Sequence, residues 1–308
     1  MTLPPKTDLH KLGYRLYSFV KHHGEEIDKS HPEDFIIKCD DFGIPQACHR
    51  VIILGVRIDV KGFPESLNGE KAIRLYDVIA DLPEIRSGLS RCGDTENNWM
   101  SVLKEFTDDG LLSGIGIDEA IQTEIRKQIN DLSNGLSRGG EFIPQRLRGL
   151  EFERDWFYDL QLKGVCNHSS RSHMAEDIQR YFFASCFARV KKYSPKLCDF
   201  PTLLLPKHLN VAEGVAGTKF SDRFRVQLAD RPCTTITSHI SKDGHYFVHP
   251  DPGQCRSLTV REAARVQTFP DNYFFVGTRT SQYVQVGNAV PPLLAHKLAD
   301  RVYKLLKS

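Results

Sequence analysis

Asp41-Phe-Gly-Ile-Pro-Gln46, then Ala47-Cys-His-Arg50, then Val51-Ile-Ile-Leu-Gly-Val56, is the stretch on which the fold turns. Gly43 and Pro45 punctuate its first part, which reads as a turn. Arg50 to Arg57 is rich in β-branched residues, is about strand length and is closed by charge, so it predicts a buried strand. On the N-terminal side Phe35-Ile-Ile37 is a shorter apolar run. Leu9 to His22 predicts a helix leading into a strand.

On the C-terminal side the texture changes twice. Residues 61–222 are irregular, with frequent glycines and weak periodicity. Two helices are expected there. One covers Ile121 to Leu132. The other covers Met174 to Lys192, where Ile178, Tyr181, Phe182 and Cys186 fall at helical spacing. Ser172 is placed to cap this second helix, Glu176 and Asp177 suit its first turn, and Lys191 and Lys192 suit its end. Residues 223–308 become regular again. Thr259-Val-Arg-Glu262 is a capping-box pattern opening a short helix that Pro270 ends. Arg261 and Arg265 lie one turn apart on it and are expected to pair with acidic neighbours. A final helix is expected from Leu293 to Leu305, with Leu294, Leu298, Val302 and Leu305 along one face.

Bulk properties set wide limits. The 308 residues are enough for two domains, or for one large domain with an insertion. A net charge of +2 neither supports nor excludes a nucleic acid as partner, so any DNA-facing surface must come from local clustering. The eight cysteines contain no Cys-x-x-Cys pair, so no zinc site is expected. Their scatter in so long a chain predicts reduced thiols in a cytoplasm rather than a disulfide scaffold. The longest apolar run, Val51 to Val56, is far too short to span a bilayer.

Three segments, in order, resemble the cytosine-C5 DNA methyltransferase family. Phe42-Gly-Ile-Pro-Gln-Ala-Cys-His-Arg50 resembles the family's eighth motif, Arg231-Pro-Cys-Thr-Thr-Ile236 the ninth, and Gln285-Val-Gly-Asn-Ala-Val-Pro-Pro292 the tenth. Ser257 to Pro270 is also similar to the family. The likeness is clear over 35–60 and 220–295, and loose in the middle, where the family carries its target-recognition domain. The resemblance implies an α/β chain: part of a Rossmann-like S-adenosylmethionine-dependent methyltransferase sheet, plus an irregular α+β recognition domain. Residues 1–60 would supply C-terminal strands of the catalytic domain, 61–222 the recognition domain, and 223–308 the closing segments.

The chemistry explains the residue types. Cytosine C5 becomes nucleophilic only after a thiolate adds at C6, and the base must leave the stack to be reached. An always-charged, multi-donor arginine suits the extruded base and its phosphate. By resemblance Arg50 contacts the target cytosine and Gln46 holds the loop. Gly287, Asn288, Ala289 and Val290 line the S-adenosylmethionine pocket, while Arg231, Thr234 and Thr235 brace the recognition domain against the catalytic core. Asn167-His-Ser-Ser-Arg-Ser-His173 packs donors and acceptors together. His168, Arg171 and His173 are therefore candidates to meet double-stranded DNA, although a plain surface loop would look the same. Arg138, Arg146 and Arg148 are weaker candidates.

The sequence also departs from the family. Cys48 stands where the first arginine of the eighth motif is expected. The family's nucleophile loop, acid segment and Gly-rich cofactor turn are not found. Pro232-Cys233, Glu96-Asn97 and Leu112-Ser-Gly-Ile-Gly-Ile-Asp118 mimic them, but in the wrong context and order. The expectation is a C-terminal methyltransferase subunit or fragment with no nucleophile of its own, completed by an N-terminal half on a separate chain. The alternatives are a non-catalytic sequence-specific DNA-binding module and an inactive truncated methyltransferase.

Overall fold

In the computed structural model the described residues are 13–21, 31–91, 93–108, 117–145, 149–207, 211–217 and 220–307. Ten short strands are described. They are β1 (Tyr14–Tyr17), β2 (Ile36–Lys38), β3 (Gln46–Ala47), β4 (His49–Val51), β5 (Leu54–Arg57), β6 (Gly88–Leu89), β7 (Gly139–Ile143), β8 (Val165–Ser169), β9 (Ser172–His173) and β10 (Cys233–Thr234). The helices are α1 (Tyr76–Ile79), α2 (Glu96–Asp108), α3 (Glu119–Asn130), α4 (Arg154–Phe157), α5 (Ala175–Lys191), α6 (Val211–Val215), α7 (Val260–Val266), α8 (Arg279–Asn288) and α9 (Pro292–Lys307).

The strands pair two by two. β1 and β5, β2 and β4, and β7 and β8 are antiparallel, whereas β3 with β10 and β6 with β9 are parallel. No wider sheet joins them among the described residues, where the expected part of a Rossmann-like sheet is represented by separate two-stranded ladders. The apolar run Val51 to Val56 is not one buried strand. It changes partner at Ile52–Ile53, where the Ile52 N–H donates to the Phe35 carbonyl at 3.1 Å. Val51 is 67% exposed and Ile53 53% exposed, because a two-stranded ladder covers one face at most. The helix expected over Leu9 to His22 also gives way. Residues 14–17 form β1, which pairs with β5 in a register that the local sequence does not encode, and 9–12 and 22 of that span lie outside the described residues.

Elements with local signals form nearly where expected. α3 begins after Asp118, whose carboxylate accepts from the Ala120 N–H at 2.8 Å. α7 carries the Thr259–Glu262 capping box in full. α5 buries Ile178, Tyr181, Phe182 and Cys186, each large apolar side chain contributing about 1.5–3 kcal/mol. Its cap differs from expectation. Met174 takes the N-cap position and no side chain caps it, because Ser172 is drawn into β9 against Gly88.

Three cores follow. α2, α3 and α5 pack together with Leu197, Phe200, Phe224 and Val226. α1, α7 and α8 enclose Cys233, Ile236, Ile240 and Phe275. The third sets Ile37, Phe42, Ile44 and Cys48 against Leu293 and Leu294 of α9. The first two draw residues from both sides of the boundary expected at 222/223.

Candidate functional site

The turn at Phe42–Gly43 is shaped by a left-handed Gly43 (φ 73°), a conformation that a β-carbon disfavours. It is held by α9, whose Lys297 ammonium donates to the Phe42 carbonyl at 2.9 Å. This delivers Gln46 to the interior, fully buried. Its amide donates to Gln267 Oε1 at 2.7 Å and its oxygen accepts from the Ile236 N–H at 3.1 Å. Gln267 in turn donates to the Val286 carbonyl at 3.1 Å. Two buried glutamines thus tie together the residues that resemble the eighth, ninth and tenth motifs. Their hydrogen bonds are all satisfied internally, as burial of polar groups requires. The β3–β10 pairing sets Cys233 opposite Gln46 and Thr234 opposite Ala47. Thr235 Oγ1 donates to the Ala47 carbonyl at 2.9 Å, and Thr234 donates to Gln227 Oε1 through its N–H (2.9 Å) and its hydroxyl (3.1 Å).

Arg50 Nη2 donates to the Ala289 carbonyl at 3.0 Å, and its buried Nε has no partner among the described residues. The eighth-motif arginine and the tenth-motif turn therefore meet, although 239 residues separate them. The four tenth-motif residues are not equivalent. A β-carbon on Gly287 would lie 2.3 Å from the Ser238 nitrogen. The close approach that this glycine permits is thus to the backbone of residues 237–238. Asn288 and Val290 are exposed, and the Ala289 carbonyl is occupied by Arg50.

The described thiols near this site, Cys39, Cys48 and Cys233, are free and buried. Cys48 is buried, and its carbonyl accepts from the Cys39 N–H at 2.8 Å. The Cys39 thiol donates to Cys48, and together with the Arg50 charge this holds the Cys48 thiol below its ordinary value. Cys233, in the Pro-Cys pair, is fully buried and donates to Gln227 Oε1 at 3.2 Å, and burial pushes its thiol up. Glu96 and Asn97 open α2, while 112–116 of the apparent Gly-x-Gly turn lie outside the described residues.

The candidate DNA contacts separate sharply. His168 is fully buried, with Nδ1 2.9 Å from Thr259 Oγ1 and Nε2 2.8 Å from the Pro83 carbonyl. These partners assign a neutral ring protonated on Nε2, and burial holds its pKa at about 4. It braces the cap of α7 and cannot reach DNA, a correction to the expected role. Asn167, in the same stretch, is buried on Glu141 and Phe275. Arg171 lies 4.2 Å from the Tyr283 ring centroid and donates to the carbonyls of Ile240 (2.5 Å) and Lys242 (2.9 Å). His173 is buried with its ring edge-on to Tyr181 at 4.9 Å. Burial lowers its pKa to about 3, reinforced by His245 and Arg171. Arg231 is exposed, and its carbonyl accepts from the Leu75 N–H at 2.8 Å. Arg138 pairs with Asp94 at 2.7 Å, and Arg146 and Arg148 lie outside the described residues.

Sequence reasoning missed the company that Arg171 and His173 keep. A cavity of about 600 Å³ is lined by both, together with Arg223, Lys242 and Arg279. No motif signals these three, and only the tertiary structure unites them.

A family model for C-5 cytosine-specific DNA methylases matches residues 8–304, and the chain belongs to that family. It is 32% identical over 305 residues to the type II methyltransferase M.Bpa9945I of Bacillus paralicheniformis, covering 96% of this chain and 54% of that protein. Over 284 residues it is 41% identical to the type II methyltransferase M.DdeI of Desulfomicrobium norvegicum, covering 87% of this chain and 53% of that one. The chain thus spans about half the length of these relatives. A crystal structure of a prophage-encoded DNA modification methyltransferase of E. coli is similar at a TM-score of 0.44 and 16% identity, covering 89% of this chain and 60% of that one.

Proposed function

We propose that this chain is the DNA-recognising and site-closing part of a DNA (cytosine-5-)-methyltransferase of a restriction-modification system, working in the cytoplasm on double-stranded DNA. It would act with the catalytic half of such an enzyme, which brings the nucleophilic thiol. The observation that carries this reading is the contact of Arg50 with Ala289, backed by the Gln46–Gln267 pair. Together they assemble one wall from three family motifs.

Arg50 would meet the target cytosine. One of its two terminal nitrogens is anchored on Ala289, so the guanidinium is oriented before substrate arrives, and its unpartnered Nε is a donor in reserve. Gln46, Thr234 and Thr235 position this arginine through the β3–β10 ladder. For S-adenosylmethionine, Asn288 and Val290 fit one edge of a pocket. Asn288 has an exposed amide with no hydrogen-bond partner among the described residues, and Val290 is a half-exposed apolar side chain. When bound, this cofactor supplies the methyl group. Ala289 would contribute backbone only. Residues 61–222 would carry target recognition, with Arg171 and His173 facing DNA; Arg231, outside that span, is exposed.

Two further observations support a missing catalytic half. Apolar side chains stand uncovered along the first strands: Tyr14, Val51, Ile53 and Ile58 are each more than half exposed. Such a patch is the kind of surface that a partner covers. The described cysteines around Arg50 are, in addition, buried and engaged. The test is complementation. The full chain is mixed with the N-terminal half of a relative, and transfer of labelled methyl to duplex DNA is measured. Transfer only in the mixture is expected. Transfer by the chain alone would overturn the split. Sequence-specific binding with no transfer in any mixture would favour a non-catalytic DNA-binding module.

A further inference from the structure

Arg171, Arg223, Lys242 and Arg279 reach one cavity from four separate stretches of the chain. Among the described residues no carboxylate pairs with any of them. The two acids that line the cavity are otherwise engaged. Asp177 pairs with Arg180 at 2.7 Å. Asp243 accepts from the His245 N–H at 3.0 Å and faces that imidazole at 3.8 Å. Arg171 is held by carbonyls and by the Tyr283 ring, which fix it without cancelling its charge. Among the described residues two buried donors of the lining side chains, Arg171 Nε and Arg279 Nε, and one buried ring nitrogen, His173 Nε2, are left without partners. His173 is 6% exposed, so its idle nitrogen is a buried polar atom that calls for an explanation.

Uncancelled cations and idle N–H donors together define a seat for an anion with several acceptor oxygens. The volume, about 600 Å³, leaves room for a phosphate carried on a larger body. The floor of the cavity continues into the stretch that meets the family motifs. Ser241 and Lys242 line it, and the preceding residues 237–238 press on Gly287 of α8.

We propose that this cavity seats one backbone phosphodiester of the DNA, clamped by Arg223, Lys242 and Arg279, with Arg171 and His173 as its fixed inner wall. This rests on the reading of the chain as a DNA-recognising part. Contact with a phosphate positions the duplex without reading sequence. Through residues 237–242 it would set the strand relative to the Arg50–Ala289 wall.

The experiment uses the full chain and a short duplex, with anisotropy read from 50 to 200 mM salt. The variants are Arg223→Gln, Lys242→Gln, Arg279→Gln and their combination. The three side chains have no ion-pair partners among the described residues, so unchanged denaturation midpoints are expected. The combined variant should bind roughly tenfold more weakly, equally on any sequence, with a log–log salt slope about 0.9 shallower. A duplex with one methylphosphonate should reproduce this loss at a single position and cause no further loss in the combined variant. Unchanged slope and affinity in the variants, with tight binding by the parent chain, would overturn the seat and leave the DNA reading standing. Failure of the parent chain to bind any duplex would overturn both. Loss of inorganic phosphate binding in the variants, with DNA binding intact, would assign the cavity to a free phosphate and overturn the proposal.

Discussion

Two sets of arginines in this chain are alike in type and unlike in fate. Arg256, Arg261 and Arg265 sit in and just before α7 and are almost wholly buried. Each is answered from within. Arg256 meets Glu262 at 2.6 Å. Arg265 pairs with Asp271 at 2.8 Å and with Asp81. Arg261 donates to the carbonyls of Cys166, Pro270 and Tyr273, and burial lowers its pKa to about 10. The arginines around the cavity at Arg171 have no carboxylate partner among the described residues. The first set is structural charge, committed to holding α7 against the rest of the molecule. The second is the charge proposed above to meet a DNA phosphate. Residue type does not distinguish them; the presence or absence of a neighbouring carboxylate does.

The strongest test of the first set is Arg265→Met. It leaves Asp81 without its partner and Asp271 facing only Arg261 at 4.0 Å, and is expected to cost about 3–5 kcal/mol, read as a lowered denaturant midpoint. A smaller loss would mean that α7 does not depend on its buried ion pairs. A pH titration of the parent chain probes the same network. Burial holds the His168 and His249 imidazoles at about 4 in the folded state, below the ordinary 6.5. The unfolded chain therefore takes protons first as pH falls. Stability should be full above about pH 6.5 and decline toward pH 4, by on the order of 3 kcal/mol per imidazole. Glu262 adds to this at lower pH. Burial alone would raise its carboxyl, but Arg256 and His249 override burial and hold it far below the usual carboxylate range. Its contribution is lost as pH falls below the unfolded value near 4.5. His168→Gln should flatten the upper part of the decline, and an unaltered profile would count against His168 as its source.

Gly287→Ala tests how the two regions are joined. The added methyl meets the backbone at residues 237–238, and a loss of about 1–3 kcal/mol is expected from overpacking. Weakened DNA binding should accompany it, because the carbonyls that hold Arg171 follow directly. Arg50 lies between the two sets, with one nitrogen anchored and one idle. Arg50→Gln should cost only about 1 kcal/mol of stability, yet abolish methyl transfer in the complemented enzyme. Retained transfer would remove Arg50 from the site.

Much of this was legible locally. The capping box at Thr259, the stop before Pro270 and the apolar face of α5 lie within a turn or two of sequence, and each formed as the spacing predicts. The pairing of Arg265 with acids was also legible in kind. The failures share a cause. Val51 to Val56 has strand composition, but composition does not choose partners, and the run divides between β2 and β1. His168 looked like part of a polar loop because its partners, Pro83 and Thr259, are distant in the chain.

By itself the sequence determined the family, the order of its three motifs and the helices whose caps and periodicity are short-range. It also placed Gln46 and Arg50 in a turn-and-strand setting. Only the tertiary structure decided that Gln46 meets Gln267, that Arg50 meets Ala289, that Gly287 is filled by backbone, and that Arg223, Lys242 and Arg279 share one cavity. Local structure follows from interactions between residues a turn apart, which a sequence displays directly. The fate of a buried or unpaired charge depends on partners brought near by folding, and sequence distance carries no record of them.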